Sequence, residues 1–564
     1  MSVGLLGSGP ARVAIEAALG DVGAAVTSPD PDDLGGVEFA VVVGQAGESV
    51  FEQVNERAVD RGLGWVAVEL GGVGGVPVVD AAVAGFGPGA GCYECLRGRV
   101  EANLDPEADP VPAPPAHTAR FAGAVAGRWA ARYVVADEHP FGQVVEIPHE
   151  RRAFLPLPNC ACGGERDRSL DRTHVERNLE AALARAERGV DDRVGIVREV
   201  GEAESFPVPY YLARGCDTSG FGDASAGRDA AGVAADWDAA FMKALGEAME
   251  RYCAGVYRTA SFETGRPEDV ETVLPAAFVR AEDADPDDVQ WVRGEHLPSG
   301  REVALPAEFV YYPPPSRTWR PPITTGLGLG NSGVEALLAG LYEVIERDAA
   351  VLAWYSTFDP LGLSVSDSTF ETMAARARSE DLSVTPLLLT QDVDVPVVAV
   401  AVHREAWPAF ALGSGAHLDA AVAARSALAE ALQNWTELRG MGPDGAADAS
   451  GAIGQYADFP PAARTFVDAD ATVPAESVGP DEVPTGTDTL DAVLDALAAA
   501  DLVAYGVRTT TRDVSSLGFE AVRALVPAAQ PLFFGEAYFG ERARTVPEEL
   551  GFEPDLDRQH HPFP

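Results

Sequence analysis

Pairs of glutamates three residues apart recur in stretches that are otherwise apolar. Two pairs are Glu247 with Glu250 and Glu343 with Glu346, and an arginine follows each pair in an ExxER pattern. Residues three apart share a helix face, and carboxylates are costly to bury unless something holds their charge. Oxygen ligands of this kind suit a divalent cation such as Mg²⁺. The pairs therefore predict a cation site, although a lone ExxER is typical of a solvated helix face with local ion pairs.

A third stretch repeats the pattern. Glu430 and Gln433 lie three apart, and Asn331 and Glu335 lie four apart ahead of the second glutamate pair. These acids and amides sit among apolar residues at helical spacing, which predicts amphipathic helices with one face in the core. Three helices must therefore position the site, and we predict them at Phe241–Tyr252, Gly330–Tyr355 and around Arg425–Gln433.

Four of the six cysteines form a second candidate site. Cys92 and Cys95 make a CxxC, and Cys160 and Cys162 make a CxC beside two glycines. Two such pairs in turns can supply the four thiolates of a tetrahedral Zn²⁺ site. With every ligand position taken by protein, the metal would be structural. The alternative is four buried thiols.

The first 165 residues alternate strand and helix patterns, which predicts an α/β domain with a Rossmann-like parallel sheet. The segment Gly7-Ser8-Gly9 lies where a nucleotide-binding turn would be. Arg12 holds the position of the third glycine, and no clear ribose-binding acid ends the second strand. The turn therefore predicts a domain that keeps the nucleotide-binding fold but does not bind a nucleotide.

Composition limits the classes of partner. The 564 residues carry a formal net charge of -45, and Lys243 is the single lysine. Such an acid excess is typical of proteins from a salt-filled, halophilic cytosol, where ions screen the surface charge. It argues against general nucleic-acid binding. There is no apolar run of membrane-spanning length and no signal peptide, so we expect a cytoplasmic protein without membrane contact.

The stretches SAGR, ALGEAMERY, GNSGVEALLAGLYEVIERD, ALAEALQ and PFP, in this order, resemble the YcaO family over about residues 190–564. The resemblance implies an α+β catalytic domain, placed at residues 166–564, that binds ATP and Mg²⁺. The Mg²⁺ ligands it implies are Glu247, Glu250, Glu343 and Glu346. The ATP contacts it implies are Ser225, Arg228, Asn331, Glu335, Arg347, Glu430 and Gln433. Arg228 stands where the family usually has lysine, and the two cations differ in geometry.

The family commonly ends in Pro-x-Pro-x-Pro near its active site. Pro562 and Pro564 match two of these prolines, and His560 stands in place of the first. The resemblance implies a catalytic role for these three residues, and either His560 or His561 could act as a base. The alternative is a disordered tail in which neither histidine has a role.

Residues 1–165 resemble the ubiquitin-activating-enzyme-like fold, since a strand, Pro-Gly and CYECL are similar to its first zinc half-site. The second half-site departs from the family, with CxC in place of CxxC. This resemblance implies a domain that binds or presents a partner without adenylating it. An extended linker is predicted at Leu104–Thr118, which is Pro-rich and acidic.

Together the two resemblances imply a fused cyclodehydratase that forms azoline rings at Cys, Ser or Thr of a ribosomally made precursor peptide. This is the post-translational step behind thiazole- and oxazole-modified bacteriocins. The partners implied are the precursor peptide and either a flavin dehydrogenase or a leader-binding protein, and we expect a homodimer. The alternatives are a thioamide-forming enzyme that uses external sulfide on a peptide or ribosome-associated protein, and a non-catalytic peptide-binding scaffold. An adenylating enzyme is disfavoured by Arg12 in the glycine turn.

Overall fold

The computed structural model describes residues 1–104, 112, 114–164, 167–284, 286, 288–448 and 453–564. Most of the predicted linker at 104–118 lies outside the described residues. So do residues 165 and 166, where the domain boundary was predicted.

The N-terminal region is a seven-stranded sheet with helices packed against it. Its strands are β1 (Ser2–Leu6), β2 (Ala25–Thr27), β3 (Phe39–Gln45), β4 (Trp65–Leu70), β5 (Ala81–Phe86), β6 (Gln143–Ile147) and β7 (Glu150–Ala153). Its helices are α1 (Pro10–Asp21), α2 (Val50–Arg61), α3 (Tyr93–Ala102) and α4 (Ala116–Ala136). The order is β2-β1-β3-β4-β5-β6-β7. Strands β1 to β4 pair in parallel, which confirms the Rossmann-like prediction, and β5 to β7 extend the sheet in antiparallel fashion.

The turn after β1 is hydrogen-bonded to an arginine side chain. Arg12 donates from Nη1 to the carbonyl oxygens of Leu5 at 2.7 Å and Gly7 at 3.2 Å. Gly7 and Gly9 have φ of 93° and 90°, the left-handed region that favours glycine. The guanidinium thus fixes the backbone of this turn.

The rest of the chain is α+β, as predicted, with three further sheets. Its strands are β8 (Val197–Glu204), β9 (Tyr210–Gly215), β10 (Asp229–Val233), β11 (Glu263–Thr264), β12 (Glu271–Thr272), β13 (Gln290–His296), β14 (Arg301–Pro306), β15 (Leu327–Gly330), β16 (Leu361–Ser364), β17 (Ser383–Leu388), β18 (Val397–His403), β19 (Phe410–Ala416), β20 (Thr472–Pro474), β21 (Tyr505–Arg508) and β22 (Glu520–Leu525). Its helices are α5 (Leu179–Ala186), α6 (Trp237–Gly255), α7 (Ala307–Val310), α8 (Gly333–Trp354), α9 (Ser368–Arg378), α10 (Ala420–Asp448), α11 (Ile453–Tyr456), α12 (Pro461–Val467), α13 (Thr487–Ala499), α14 (Arg512–Leu517) and α15 (Arg542–Leu550). The sheet orders are β10-β9-β8, β12-β14-β13-β21-β22-β15 with β11 beside β13, and β19-β18-β17-β16-β20.

Three strand–helix units repeat within this region: β10 with α6, β15 with α8, and β19 with α10. In each unit a strand glycine lets the helix approach closely. A Cβ atom would lie 2.2 Å from the Ala240 carbonyl oxygen at Gly232, 2.1 Å from that of Ala336 at Gly328, and 2.4 Å from that of Ala427 at Gly413. Any side chain there would push the helix away, so the glycines set the distance between strand and helix.

The apolar faces of these helices agree with the sequence prediction, whereas the starts of α6 and α8 differ from the predicted ones by four and three residues. Asp236 caps α6 by accepting from the Ala239 amide at 3.0 Å, and Ser332 caps α8 by accepting from the Glu335 amide. The apolar face of α8 lies in the largest core of this region, as its spacing predicted. All three predicted glutamate-bearing helices are therefore present.

The N-terminal region and the rest of the chain share one hydrophobic core, which runs from β3 and α3 to α6. Within it lies a polar network. Arg99 of α3 and Asp513 of α14 form an ion pair with both side chains fully buried, and Tyr252 of α6 donates to the same carboxylate at 2.7 Å. Among the described residues, none of the helices has the length and apolarity needed to cross a membrane.

Candidate active site

The three strand–helix units present their glutamates in the same way. In each, one carboxylate oxygen on the helix accepts a hydrogen bond from a backbone amide of, or just before, the paired strand. The pairs are Glu247 with Ala231 at 2.6 Å, Glu343 with Gly326 at 3.0 Å, and Glu430 with Ser414 at 2.6 Å. This bond fixes each side chain against its strand and leaves the second carboxylate oxygen for another partner.

Crowding of these acids makes them hard to ionise. Burial, together with the charges of Glu343 and Glu247, raises the pKa of Glu250 to about 8. Burial also raises the pKa of Glu247, although the nearby Arg251 guanidinium works against this. Carboxylates that hold protons near neutral pH are those whose charge a bound cation would stabilise.

A second group of acids joins α8 to α10. Glu346 is 9% exposed and accepts a hydrogen bond from the Ser414 hydroxyl at 2.6 Å. Arg347 lies 3.6 Å from Glu346 and 3.8 Å from Glu430. Even so, burial raises the pKa of Glu346, and it raises that of Glu430 to about 7. One guanidinium therefore does not balance the two carboxylates.

Arg523 of β22 approaches the acids from the core. It is 1% exposed and donates to the carbonyl oxygens of Thr324 at 2.8 Å and Ile323 at 3.0 Å. Burial lowers its pKa to about 9, against the opposing charges of Glu343 and Glu250. Its charge partly offsets theirs without forming an ion pair with either of them.

A cavity of about 510 Å³ opens between α6, α10 and β10. Its lining includes Asp229, Lys243, Glu247, Arg251, Ser414, Ser426, Glu430, Gln433 and Pro564. This cleft is large enough for a small ligand. It brings together four of the predicted residues: Glu247, Glu430, Gln433 and Pro564.

The segment 559–564 is ordered against the site. Arg347 donates to the Pro564 carbonyl oxygen at 3.0 Å. His561 is fully buried, with Nε2 2.8 Å from the Phe533 carbonyl oxygen, and burial lowers its pKa to about 3. The carbonyl oxygen of His560 accepts from Tyr456. A disordered tail is therefore not what the structure contains. His561 is a neutral packing residue, and His560 is the more accessible of the two.

Other predicted nucleotide contacts lie outside the cavity lining. The Asn331 amide and side chain both donate to Glu335, at 2.8 and 3.0 Å, and Asn331 accepts from Arg185 at 2.8 Å. Glu335 is eight residues before Glu343, about 12 Å along the helix. Ser225 is exposed on its loop. Arg228 is paired with Asp217. Their roles stay predictions.

The four predicted cysteines converge. Sγ atoms are 3.5 Å apart for Cys92 and Cys160, 3.5 Å for Cys95 and Cys162, and 3.8 Å for Cys92 and Cys95. All four lie within 4.8 Å of one another, and they are the one group of three or more Cys, His, Asp or Glu ligand atoms this close together in the described part of the chain. Zn–S bonds of about 2.3 Å give tetrahedron edges of about 3.8 Å, so the cluster fits zinc. Arg512 donates to Cys162 at 3.1 Å, as suits thiolates.

Three residues of the site were missed by the sequence analysis. Ser414 lies on β19 and Arg523 on β22, and both are distant in sequence from the acids that they approach. Lys243 carried a signal, because it is the single lysine and precedes Glu247 by one helical turn. Desolvation inside the cleft lowers the pKa of Lys243, although the Glu430 carboxylate opposes this effect.

A family model described as YcaO cyclodehydratase, ATP- and Mg²⁺-binding, matches residues 231–530. An uncharacterized protein of Methanothermobacter thermautotrophicus is 30% identical over 231 residues, 38% of this chain and 59% of that protein. An uncharacterized protein in the tfuA 3′ region of Rhizobium leguminosarum bv. trifolii is 29% identical over 26% of this chain and 39% of its own length. The chain thus spans less than two thirds of either relative.

Solved structures match more of the chain. A heterocyclase in complex with substrate and cofactor superposes with a TM-score of 0.74 at 18% identity, covering 98% of this chain and 83% of the other. The heterocyclase TruD gives a TM-score of 0.68 at 18% identity, over 99% and 82%. A Methanopyrus kandleri protein bound with AMPPCP and Mg²⁺ gives 0.50 at 23% identity, over 64% and 95%. At these identities the likeness establishes the fold alone.

Proposed function

This chain belongs to the YcaO family, and we propose that it uses ATP and Mg²⁺ to activate a backbone amide of a peptide, closing an azoline ring at Cys, Ser or Thr. The observation that carries the proposal is the cleft of about 510 Å³ at which strand-anchored glutamates from two helices meet, with a third helix beside it. The family is described as binding ATP and Mg²⁺, and such binding would explain why these acids lie together.

In this proposal the metal ligands are Glu247, Glu250, Glu343 and Glu346. Bound Mg²⁺ would neutralise triphosphate charge and align the γ-phosphate for transfer. The chain's own groups do the remaining work. Strand amides hold Glu247 and Glu343, and the Ser414 hydroxyl holds Glu346. These bonds restrict the orientations that the three carboxylates can take before a metal binds.

The nucleotide contacts in the proposal are Glu430, Gln433 and Arg347 beside the cleft, with Asn331, Glu335, Ser225 and Arg228 further out. Arg347 is held between Glu346, Glu430 and the Pro564 carbonyl oxygen. A guanidinium in that position can meet phosphate oxygens as they gain charge. The segment with His560, Pro562 and Pro564 would orient the reacting amide, and His560 would accept the proton of the attacking side chain.

The reaction balances as follows. The substrate Sγ or Oγ bonds to the carbonyl carbon of the preceding residue, and its proton goes to the base. The resulting oxyanion attacks the γ-phosphorus and displaces ADP. The nitrogen lone pair then expels phosphate, and loss of the N–H proton leaves the C=N bond of the ring. The net change in the peptide is loss of one water.

The alternatives differ in the nucleophile or in the absence of chemistry. External sulfide in place of the side chain would give a thioamide. Azoline formation is favoured by the likeness of the fold to two heterocyclases over 98% and 99% of this chain, N-terminal region included. A non-catalytic peptide-binding scaffold is disfavoured by the two intact glutamate pairs.

We further propose two functional units, residues 1–165 and 166–564. The first would hold structural Zn²⁺ and present the precursor peptide. Support comes from the geometry of the cysteine cluster and from the core that the two units share. The protein partners in this proposal are a second copy of the chain and either a flavin dehydrogenase, which would oxidise azolines to azoles, or a separate leader-binding protein.

Two measurements test the proposal. Magnesium with AMPPCP should raise the melting temperature of the wild-type protein, and no shift would count against the nucleotide site. With synthetic peptides carrying ¹⁸O in the carbonyl before a Cys, Ser or Thr, the label should pass to inorganic phosphate as the peptide loses one water. Added sulfide tests the thioamide alternative by mass. Glu346→Gln should abolish product, and ATP hydrolysis without label transfer would refute amide activation.

A further inference from the structure

Lys243 is the single lysine in a chain whose other 41 basic residues, of 42 in all, are arginines. It lies on α6 four residues before Glu247 and opens into the same cleft. Its side chain is exposed there. A cation at this point faces carboxylates on two helices, which makes its lack of a fixed partner informative.

Within the described ranges, Lys243 forms no ion pair at 4.0 Å or less and no hydrogen bond. The Glu430 carboxylate is near enough to favour the charged form of its ammonium. The molecule has 87 acidic residues, and several glutamates surround this cleft. The ammonium nevertheless has no salt bridge to any of the described residues. A compact ammonium on a flexible stem can reach an incoming anion that a paired guanidinium cannot.

The arginines around the cleft are already engaged. Arg251 pairs with Glu247 and donates to the Asp229 carbonyl oxygen at 2.8 Å. Arg347 donates to Pro564.

Two further arginines are engaged in the same way. Arg228, the residue expected to reach the nucleotide from its loop, is paired with Asp217. Arg523 is enclosed and bonded to two carbonyl oxygens. Lys243 is therefore the uncommitted cation of this set.

We propose that Lys243 is a further nucleotide-binding residue, whose ammonium contacts an oxygen of the ATP triphosphate from α6. The inference rests on the proposed ATP site and assigns within it the residue that supplies positive charge from α6. A triphosphate brings about four negative charges at neutral pH into a cleft lined by acids, so a direct cation contact adds to what the metal neutralises.

Because the chain has one lysine, amine-selective chemistry tests this directly. The folded wild-type protein is acetylated with a limiting amine-reactive ester, and Lys243 modification is read by peptide mass spectrometry. The N-terminal amine, which lies beside Glu38, serves as internal reference. AMPPCP with Mg²⁺ should slow acetylation of Lys243 about tenfold while the reference amine is unchanged. Adenosine, which lacks phosphates, should give no protection.

Variants supply the second arm. Lys243→Ala should weaken AMPPCP binding about tenfold with little effect on adenosine, and Lys243→Arg should restore part of the affinity. Arg120→Ala, a remote exposed cation change, should leave affinity at the wild-type value. Melting curves without nucleotide show whether each variant is folded.

The outcomes separate the two proposals. If wild-type protein binds no AMPPCP, the ATP site itself is wrong. If it binds AMPPCP but acetylation of Lys243 is unprotected and Lys243→Ala binds normally, the present inference alone is overturned. Protection by an acidic peptide but not by AMPPCP would also overturn it.

Discussion

The hydroxyl of Ser414 donates a hydrogen bond to Glu346 Oε1 at 2.6 Å. Ser414 lies on β19 and Glu346 on α8, so the bond joins two of the three strand–helix units. The backbone amide of the same serine holds Glu430 of α10 at 2.6 Å. One residue thus orients carboxylates from two helices, one for metal and one for nucleotide in our proposal.

The first prediction concerns this serine. Ser414→Ala keeps the amide bond to Glu430 but removes the hydroxyl from a buried carboxylate, a loss of about 1–3 kcal/mol for the charged form. We expect affinity for AMPPCP with Mg²⁺, measured by titration calorimetry, to fall about tenfold. Ser426→Ala is the matched control, since Ser426 is exposed in the same cleft and does not bond to Glu346. Equal affinities for both variants would contradict the role of the hydroxyl.

Local pattern predicted the helices of the site well. The glutamate-bearing helix expected at 330–355 is α8 at Gly333–Trp354, because its apolar spacing is a local signal. Its start was predicted three residues too early, since Gly330 belongs to β15. The contact between Ser414 and Glu346 spans 68 residues and has no local signal. The position of Arg523 is likewise set by how β22 pairs with β15. Such contacts depend on tertiary packing, which spacing alone does not encode.

The N-terminal sheet shows the same division. Strand–helix alternation predicted its parallel half, because parallel neighbours need a crossover element. The residue types of β5 to β7 give no signal that these strands pair in antiparallel fashion. The four cysteines were predicted as one cluster from their types and spacing, and they do meet. The buried pair of Arg99 and Asp513 was not anticipated, since its members are 414 residues apart.

A second prediction is a loss of stability with rising pH in the nucleotide-free protein. The pKa of Glu250 is raised to about 8 and that of Glu430 to about 7. A raised carboxyl pKa means that the folded state binds more protons than the unfolded state between about pH 4.5 and pH 8. The free energy of unfolding should therefore fall across that window, by up to about 1.4 kcal/mol per pH unit for each group.

Urea unfolding at a series of pH values, at fixed high salt, measures this slope. Glu250→Gln removes one titrating group and should flatten the curve between pH 5 and pH 8. Glu16→Gln, a change at an exposed glutamate in the N-terminal region, is the control and should leave the slope unaltered. A stability that rises through this window would show that the acids are ionised in the folded protein.

A third prediction follows for ligand binding. If Mg²⁺ with nucleotide takes the place of protons on Glu250 and its neighbours, binding at pH 7 should release protons to the buffer. Calorimetry in buffers of different ionisation enthalpy should give about one proton released per site. Glu250→Gln should reduce that number while the protein stays folded. Proton uptake instead of release would contradict the assigned ligands.

The fourth prediction concerns the junction of the two regions. Arg99→Ala leaves Asp513 and the Tyr252 hydroxyl in the core without their cation, and breaking a buried pair costs about 3–5 kcal/mol. We expect a matching drop in the free energy of unfolding. Arg99→Met combined with Asp513→Asn should cost less, because neither charge then remains. Exposed Arg120→Ala should have an effect below about 0.5 kcal/mol. If Arg99→Ala also lowers the free energy of unfolding by less than about 0.5 kcal/mol, the network does not stabilise the fold.

The last prediction concerns the cysteine cluster. The Sγ separations of 3.5 to 3.8 Å match a zinc tetrahedron, and Arg512 donates towards Cys162 and Cys95. Elemental analysis of protein purified without chelator should give one zinc per chain. Cys162→Ser should lose the metal and lower the melting temperature, because metal binding adds directly to folding free energy. Cys216→Ser changes a buried thiol outside the cluster and should keep full zinc content. If wild-type protein without zinc is as stable as protein with zinc, the cysteines are four buried thiols and not a metal site.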